Sequence, residues 1–237
     1  MKDNTTFGVI GAMSVEIEKL RAALSDVETL ETAGLTFYSG TLGSHRVVLV
    51  QSGVGKVNAA RCAQILIDRY APDCLVNTGI AGGVGKGLAI ADVVVGTELV
   101  QHDFDASPLG YARGNLCAEK NGKPTVFTSD PSLVERFRAA AETLLEPSRV
   151  KTGRIATGDQ FVAERALKHD IADTFGALAA EMEGGAIAQT AALAGVPFVV
   201  VRAISDLADE SSEVNFPVFE RDTAHLSANI LLKMIQG

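Results

Sequence analysis

Tryptophan is absent from the chain and aromatic residues make up only 5% of it, so the core must be built from Val, Ile, Leu and Ala. Cysteine is nearly absent too. Cys62, Cys74 and Cys117 are odd in number and widely spaced, with no CxxC pair. That excludes a disulfide framework and fits reduced thiols in a reducing compartment. No apolar run approaches the ~20 residues a membrane-spanning helix needs. The opening segment Met1-Lys-Asp-Asn-Thr-Thr6 lacks the apolar stretch of a secretory leader, so the expected location is cytoplasmic. Positive charge is in deficit: 21 Lys and Arg stand against 29 Asp and Glu, a net charge of −8. A surface of that sign repels phosphate backbones and anionic bilayers, which excludes a general nucleic-acid or membrane binder.

What is present suits one globular unit. At 237 residues, 47% hydrophobic and 21% charged, the chain fits a single α/β domain over its whole length, with no linker or repeat. Short β-branched runs at 7–10, 47–50, 74–77, 93–95 and 198–204 read as strands buried on both faces. Helices are expected between them. Ser14 is the expected cap of one running to about Leu24. A second covers 55–70, with Val57, Ala60, Ile65 and Leu66 apolar, and ends before Pro72. Asp130-Pro131 starts a third that reaches about Leu145, and 184–193 forms a fourth, stopped by Gly195-Val-Pro197. The last is expected over 219–235. This alternation predicts an α/β fold with a mixed, mostly parallel sheet flanked by helices. The stretch 107–123, with Gly110, Gly114 and Gly122, is the least regular, and a loop of that length is functional, part of an interface, or mobile.

Several familiar motifs fail on inspection. In Ser52-Gly-Val-Gly-Lys56 the leading Gly of a phosphate loop falls at Val50, and the Ser/Thr after Lys falls at Val57. The Gly-rich run from Gly79 to Gly87 holds no GxGxxG in register. His45, His102, His169 and His225 are scattered, and His102-Asp-Phe-Asp105 reads better as a polar strand end than as a metal site. No GxSxG elbow occurs. No metal and no cofactor is therefore expected.

Unusual polar words sit instead where apolar strands should end: Gly11-Ala-Met-Ser-Val-Glu16, Asn77-Thr-Gly-Ile-Ala-Gly82, Glu181-Met-Glu183 and Arg202-Ala-Ile-Ser-Asp206. Ligands of open α/β sheets bind outside the carboxyl ends of strands. Glu16, Glu183 and Asp206 could converge there. Each also has a plainer reading: Glu16 and Glu183 as helix-start acids favoured by the macrodipole, Asp206 as an N-cap. Arg202, inside an apolar strand, needs a carboxylate or a ligand beside it.

In order along the chain, Gly8-Val-Ile-Gly-Ala-Met-Ser-Val-Glu16, Ser52-Gly-Val-Gly-Lys56, Asn77-Thr-Gly79, Ala81-Gly82, Thr157-Gly-Asp-Gln-Phe161, Glu181-Met-Glu183 and Val199-Val-Val-Arg-Ala-Ile-Ser-Asp206 resemble the methylthioadenosine/S-adenosylhomocysteine nucleosidases of the purine nucleoside phosphorylase-like superfamily. The similarity runs from about Phe7 to Gly237. It implies a nucleoside phosphorylase-like fold and a small-molecule adenine nucleoside as substrate. It also implies a homodimer in which the stretch from His102 to Tyr111 of one copy closes the pocket of the other. By the same resemblance Asp206, supported by Ser205, is the acid toward the purine. Glu183 holds the ribose with Met182 beneath it, Glu16 activates water, and Arg202 lies near that water. Phe161 stacks on the base, Val162 gives it backbone contacts, and Met13, Val54, Ile80, Glu181, Phe216 and Leu109 complete the substrate site.

The chemistry asks for these residue types independently. Glycoside cleavage passes through an oxocarbenium-like transition state, so an acid must serve the leaving group while anions stabilise the sugar. Asp206 should hold a proton, and Glu16 should be ionised. Two positions depart from the resemblance: Ile80 replaces a small hydroxyl residue, and Leu109 a bulkier aromatic. The phosphorolytic branch needs arginines and a Ser for phosphate, where this chain has Asn77, Ile80 and Glu16. A futalosine-type nucleosidase would share all these words, and a non-catalytic nucleoside sensor would be expected to have lost the acids.

Overall fold

The computed structural model describes residues 4–120 and 122–237. The start of the expected single domain, residues 1–3, and Asn121 in the irregular stretch lie outside the described residues. In chain order the elements are β1 (Thr6–Gly11), α1 (Ser14–Ala23), β2 (Ser25–Thr32), β3 (Leu35–Leu42), β4 (His45–Gln51), α2 (Lys56–Tyr70), β5 (Cys74–Gly83), β6 (Val93–Gln101), β7 (Phe127–Thr128), α3 (Pro131–Glu142), β8 (Val150–Thr157), α4 (Arg165–Phe175), β9 (Ala177–Glu181), α5 (Gly184–Ala194), β10 (Phe198–Asp206) and α6 (Ser212–Gln236). All strands join one sheet. Parallel pairings link β4, β1, β5 and β10, and again β6, β8 and β9; the hairpin strands β2 and β3, short β7, and the β10–β6 and β5–β9 contacts are antiparallel.

Both faces of the sheet are covered, and the strands show it residue by residue. Val47, Leu49, Val199 and Val201 point to one face, packed against α1, α3 and α6. Val48, Val50 and Val200 point to the other, against α2 and α5. A smaller cluster seats α4 through Ile171 and Phe175. This double burial is why those strands read as unbroken apolar runs. Among the described residues no helix is long and apolar enough to cross a membrane.

Several boundaries differ from the sequence expectation. β5, β6 and β10 run on beyond their apolar stretches, to Gly83, Gln101 and Asp206. Met13, not Ser14, caps α1; the Met13 N–H turns to the Glu16 carboxylate at 2.9 Å. In α2 the buried face is Ala59, Cys62, Ala63 and Leu66, while Val57 is 79% exposed. Asp130 does cap α3, accepting from Ser132 N and Leu133 N, but the helix stops at Glu142. α6 begins at Ser212 rather than near Phe219 and runs through Pro217. A proline removes one helical hydrogen bond, and the turn before it is independently fixed, with Asp209 N donating to Ser212 Oγ at 3.0 Å.

Candidate active site

The carboxyl ends of β1, β5, β9 and β10 open onto one cavity of about 200 Å³. Glu16, Glu183 and Asp206 all line it, together with Met13, Val54, Ile80, Phe161, Val162, Glu181, Met182, Ser205 and Phe216. Ala12, Ala81, Gly82, Gln160 and Ala180 join them; the first four lie inside recognised words and Ala180 adjoins one, and each is small or polar, so none carries a signal of its own. Arg202 sits behind the wall rather than in it, 1% exposed. Leu109 does not line the cavity of its own chain and is 68% exposed on the loop after β6.

Glu16 is set by tight backbone. α1 starts directly after β1, so the Glu16 carboxylate folds back over the strand ends. Its Oε2 accepts from Ala12 N at 2.6 Å and Met13 N at 2.9 Å, and its Oε1 from Ile80 N at 3.2 Å. A Cβ at Gly79 would collide with this carboxylate, which accounts for the glycine in Asn77-Thr-Gly79. Burial pushes the Glu16 carboxyl up, against the pull of the Arg202 charge and the three N–H donors. Ile80 thus contributes a backbone donor, while its side chain forms apolar wall.

Asp206 ends β10 beside Gly82 on β5. Its Oδ1 accepts from Ala208 N at 2.8 Å and its Oδ2 lies 2.9 Å from Ser205 Oγ. Ala208 takes a left-handed φ of 51° to aim that N–H, and it is fully buried. The Ser205 hydroxyl also lies 3.4 Å from Ala81 O. Arg202 pairs with Gly79 in the same register, so the Arg202 and Asp206 positions are separated by three residues of β5, about 10 Å at ~3.3 Å per residue.

Glu181 has a role the sequence did not disclose. It lines the cavity, yet its carboxylate faces inward and is saturated. Oε1 accepts from Thr157 Oγ1; Oε2 accepts from Glu183 N at 3.1 Å, from Gly184 N at 2.7 Å and from Arg202 Nη2. Arg202 also reaches the Asn77 side chain at 2.5 Å and stays 3.9 Å from Glu183. The partner that a buried Arg202 required is therefore Glu181, supported by Asn77 and Thr157. Glu183, at the N-terminus of α5, accepts from Gly55 N at 2.8 Å. Burial first, and the neighbouring Glu181 charge second, push its carboxyl up to about 8, with Arg202 pulling the other way. In the cavity wall, Phe161 meets Phe216 edge-on with ring centroids 5.4 Å apart.

Comparison with known proteins agrees over nearly the whole chain. Residues 6–236 match the phosphorylase superfamily. A 5′-methylthioadenosine/S-adenosylhomocysteine nucleosidase of Chromohalobacter salexigens is 43% identical over 96% of this chain and 95% of its own. The crystal structure of the Neisseria meningitidis nucleosidase of that name, in complex with methylthio-immucillin-A, superposes with a TM-score of 0.92 at 41% identity, covering 98% of this chain and 99% of the other. A futalosine hydrolase mutant of Helicobacter pylori superposes with a TM-score of 0.90 at 31% identity, covering 98% of each chain. With sequence, fold and cavity in agreement, the chain belongs to the 5′-methylthioadenosine/S-adenosylhomocysteine nucleosidases of the phosphorylase superfamily.

Proposed function

We propose that the protein hydrolyses the N-glycosidic bond of 5′-methylthioadenosine and S-adenosylhomocysteine, releasing adenine and the 5-thio-substituted ribose. One observation carries the choice of hydrolysis over phosphorolysis. Among the described residues, three carboxylates that could face a substrate line the cavity, no Lys or Arg does, and the nearby Arg202 is already committed to Glu181 and Asn77. A cavity with no free cation offers nothing to neutralise a bound phosphate, while its acidic groups can serve water, sugar and leaving group.

In this reading the adenine stacks on Phe161, and Asp206 protonates it as the glycosidic bond breaks. Glu183 holds the ribose hydroxyl, a hydrogen bond that strengthens as positive charge develops on the ring. Glu16 accepts a proton from the attacking water. Its raised carboxyl suits a base working near neutral pH. Met13, Met182 and Phe216 supply apolar wall. The test is an absorbance assay of adenine release from methylthioadenosine, S-adenosylhomocysteine, adenosine and aminofutalosine. Turnover of the two thioethers is expected; release from aminofutalosine alone would transfer the reading to the futalosine branch.

The site is completed, in this reading, by a second copy of the chain. Leu109 is exposed, with Phe104 and Tyr111 partly so, on a loop that is otherwise polar and Gly-rich. Leu109→Asp should weaken dimerisation in sedimentation and raise KM for thioethers more than for adenosine. A fully active monomer at micromolar concentration would refute this.

A further inference from the structure

Three sequence words that carry no chemistry of their own meet at one point. Lys56 closes the failed phosphate loop after β4, Asp103 lies in His102-Asp-Phe-Asp105 after β6, and Asp159 lies in Thr157-Gly-Asp-Gln-Phe161 after β8. Lys56 Nζ donates to Asp103 Oδ1 at 2.6 Å, Asp159 N donates to Asp103 Oδ2 at 2.9 Å, and Lys56 N donates to Asp159 Oδ1 at 2.8 Å. The three residues form a closed ring. The Lys56 and Asp103 side chains are only 19% and 17% exposed, so solvent and salt screen their pair weakly.

None of the three lines the cavity, but each is joined to something that does. Gly55, next to Lys56, gives its N–H to Glu183 Oε1 at 2.8 Å. It does so at a φ of 97°, and a Cβ there would stand 3.1 Å from Asp159 Oδ1, so glycine, backbone and ring fit only together. Two residues beyond Asp159 comes Phe161, then Val162, both in the cavity wall. The ring thus fixes at once the backbone donor of the ribose carboxylate and the segment that stacks on the base.

We infer that Asp103 is a positioning residue for nucleoside binding: acting through Lys56 and Asp159, it holds Gly55 against Glu183 and Phe161 in the wall without touching substrate. The inference rests on the nucleosidase reading above. The plain alternative is that the ring merely ties loops together and adds stability.

The test is steady-state kinetics on methylthioadenosine with Asp103→Ala, Lys56→Met, the double variant and Asp103→Asn, alongside melting curves and sedimentation. Asp103→Ala is expected to raise KM about tenfold with kcat changed less than about threefold, the signature of lost binding shared by ground and transition states. Lys56→Met should do the same, and the double variant should be no worse than about twofold beyond either single change, because the residues act as one unit. Asp103→Asn keeps an oxygen for Asp159 N but sets its NH₂ against Lys56 Nζ, so it should recover only part of the affinity, falling between Asp103→Ala and wild type. A normal KM in Asp103→Ala, additive losses in the double variant, or a KM rise that tracks loss of the dimer would overturn the inference. Wild-type protein that releases no adenine would overturn the nucleosidase reading instead, so the two failures are distinguishable.

Discussion

Glu16 and Asp206 are both buried carboxylates in one cavity, and their surroundings differ in kind. Every hydrogen bond to Glu16 comes from a backbone N–H: Ala12 and Met13 on one oxygen, Ile80 on the other. An N–H can only donate, so a proton on Glu16 would find no acceptor among these partners. Asp206 has one such donor, Ala208 N, and on its other oxygen the Ser205 hydroxyl. A hydroxyl can turn. With Asp206 protonated, Ser205 accepts from it and directs its own hydrogen toward Ala81 O. The partners thus differ in kind: those of Glu16 can only donate and favour its ionised form against the burial that raises it, while Asp206 has a hydroxyl able to donate or accept.

The comparison predicts its own breakage. The largest effect is on turnover. Asp206→Asn and Glu16→Gln should each cost about 10²–10⁴-fold in kcat, the usual worth of general acid or base catalysis. Near-normal turnover in either variant removes that residue from the mechanism. Stability should then separate the two. Asn fits at 206, its oxygen toward Ala208 N and its NH₂ toward the serine hydroxyl. Gln at 16 must set an NH₂ against N–H donors, at about 1–3 kcal/mol for an unsatisfied buried group. Calorimetry should show a melting temperature lowered by roughly 2–10 °C for Glu16→Gln and little changed for Asp206→Asn; equal losses would erase the distinction.

Glu183 adds a pH dependence. Its carboxyl is raised to about 8 in the folded chain, from an ordinary 4.5. A raised group contributes stability that is whole below its unfolded value and is lost as pH climbs through the folded one. Glu183→Gln carries no such loss. Its melting temperature should therefore gain on wild type by roughly several degrees between pH 5 and pH 9. A constant offset across that range would contradict the burial argument. Smallest is Ser205→Ala, which leaves the acid in place but removes its hydroxyl partner. About a tenfold fall in kcat is expected, a typical cost of one buried hydrogen bond, with KM unchanged.

Legibility in the sequence followed burial. β1, β4, β5 and β10 were visible because both of their faces are apolar. β2, Ser-Asp-Val-Glu-Thr-Leu-Glu-Thr, is almost wholly exposed and offers no apolar face to detect. β8 carries Lys151, Thr152, Gly153 and Arg154 among its first five residues, and β9 is a short Ala-rich run that resembles helix. α4 does carry a helical signal: Leu167, Ile171 and Phe175 recur every fourth residue and Gly176 caps the end. The site stood out as charged words at strand ends, and Arg202 announced a partner. Which carboxylate would answer was not readable, because Thr157, Glu181 and Arg202 come from three strands that only the sheet order brings together. Leu109 lies outside the cavity of its own chain, and nothing in the sequence of that loop distinguishes a wall residue from an exposed one.

The central claim is that this cavity delivers water, not phosphate, to the sugar. The direct measurement is ³¹P NMR with chromatography of a complete reaction on methylthioadenosine in phosphate buffer. The account predicts one equivalent of adenine, free 5-methylthioribose, an unchanged phosphate signal, and a rate independent of phosphate concentration. A sugar 1-phosphate resonance growing with adenine release would contradict it.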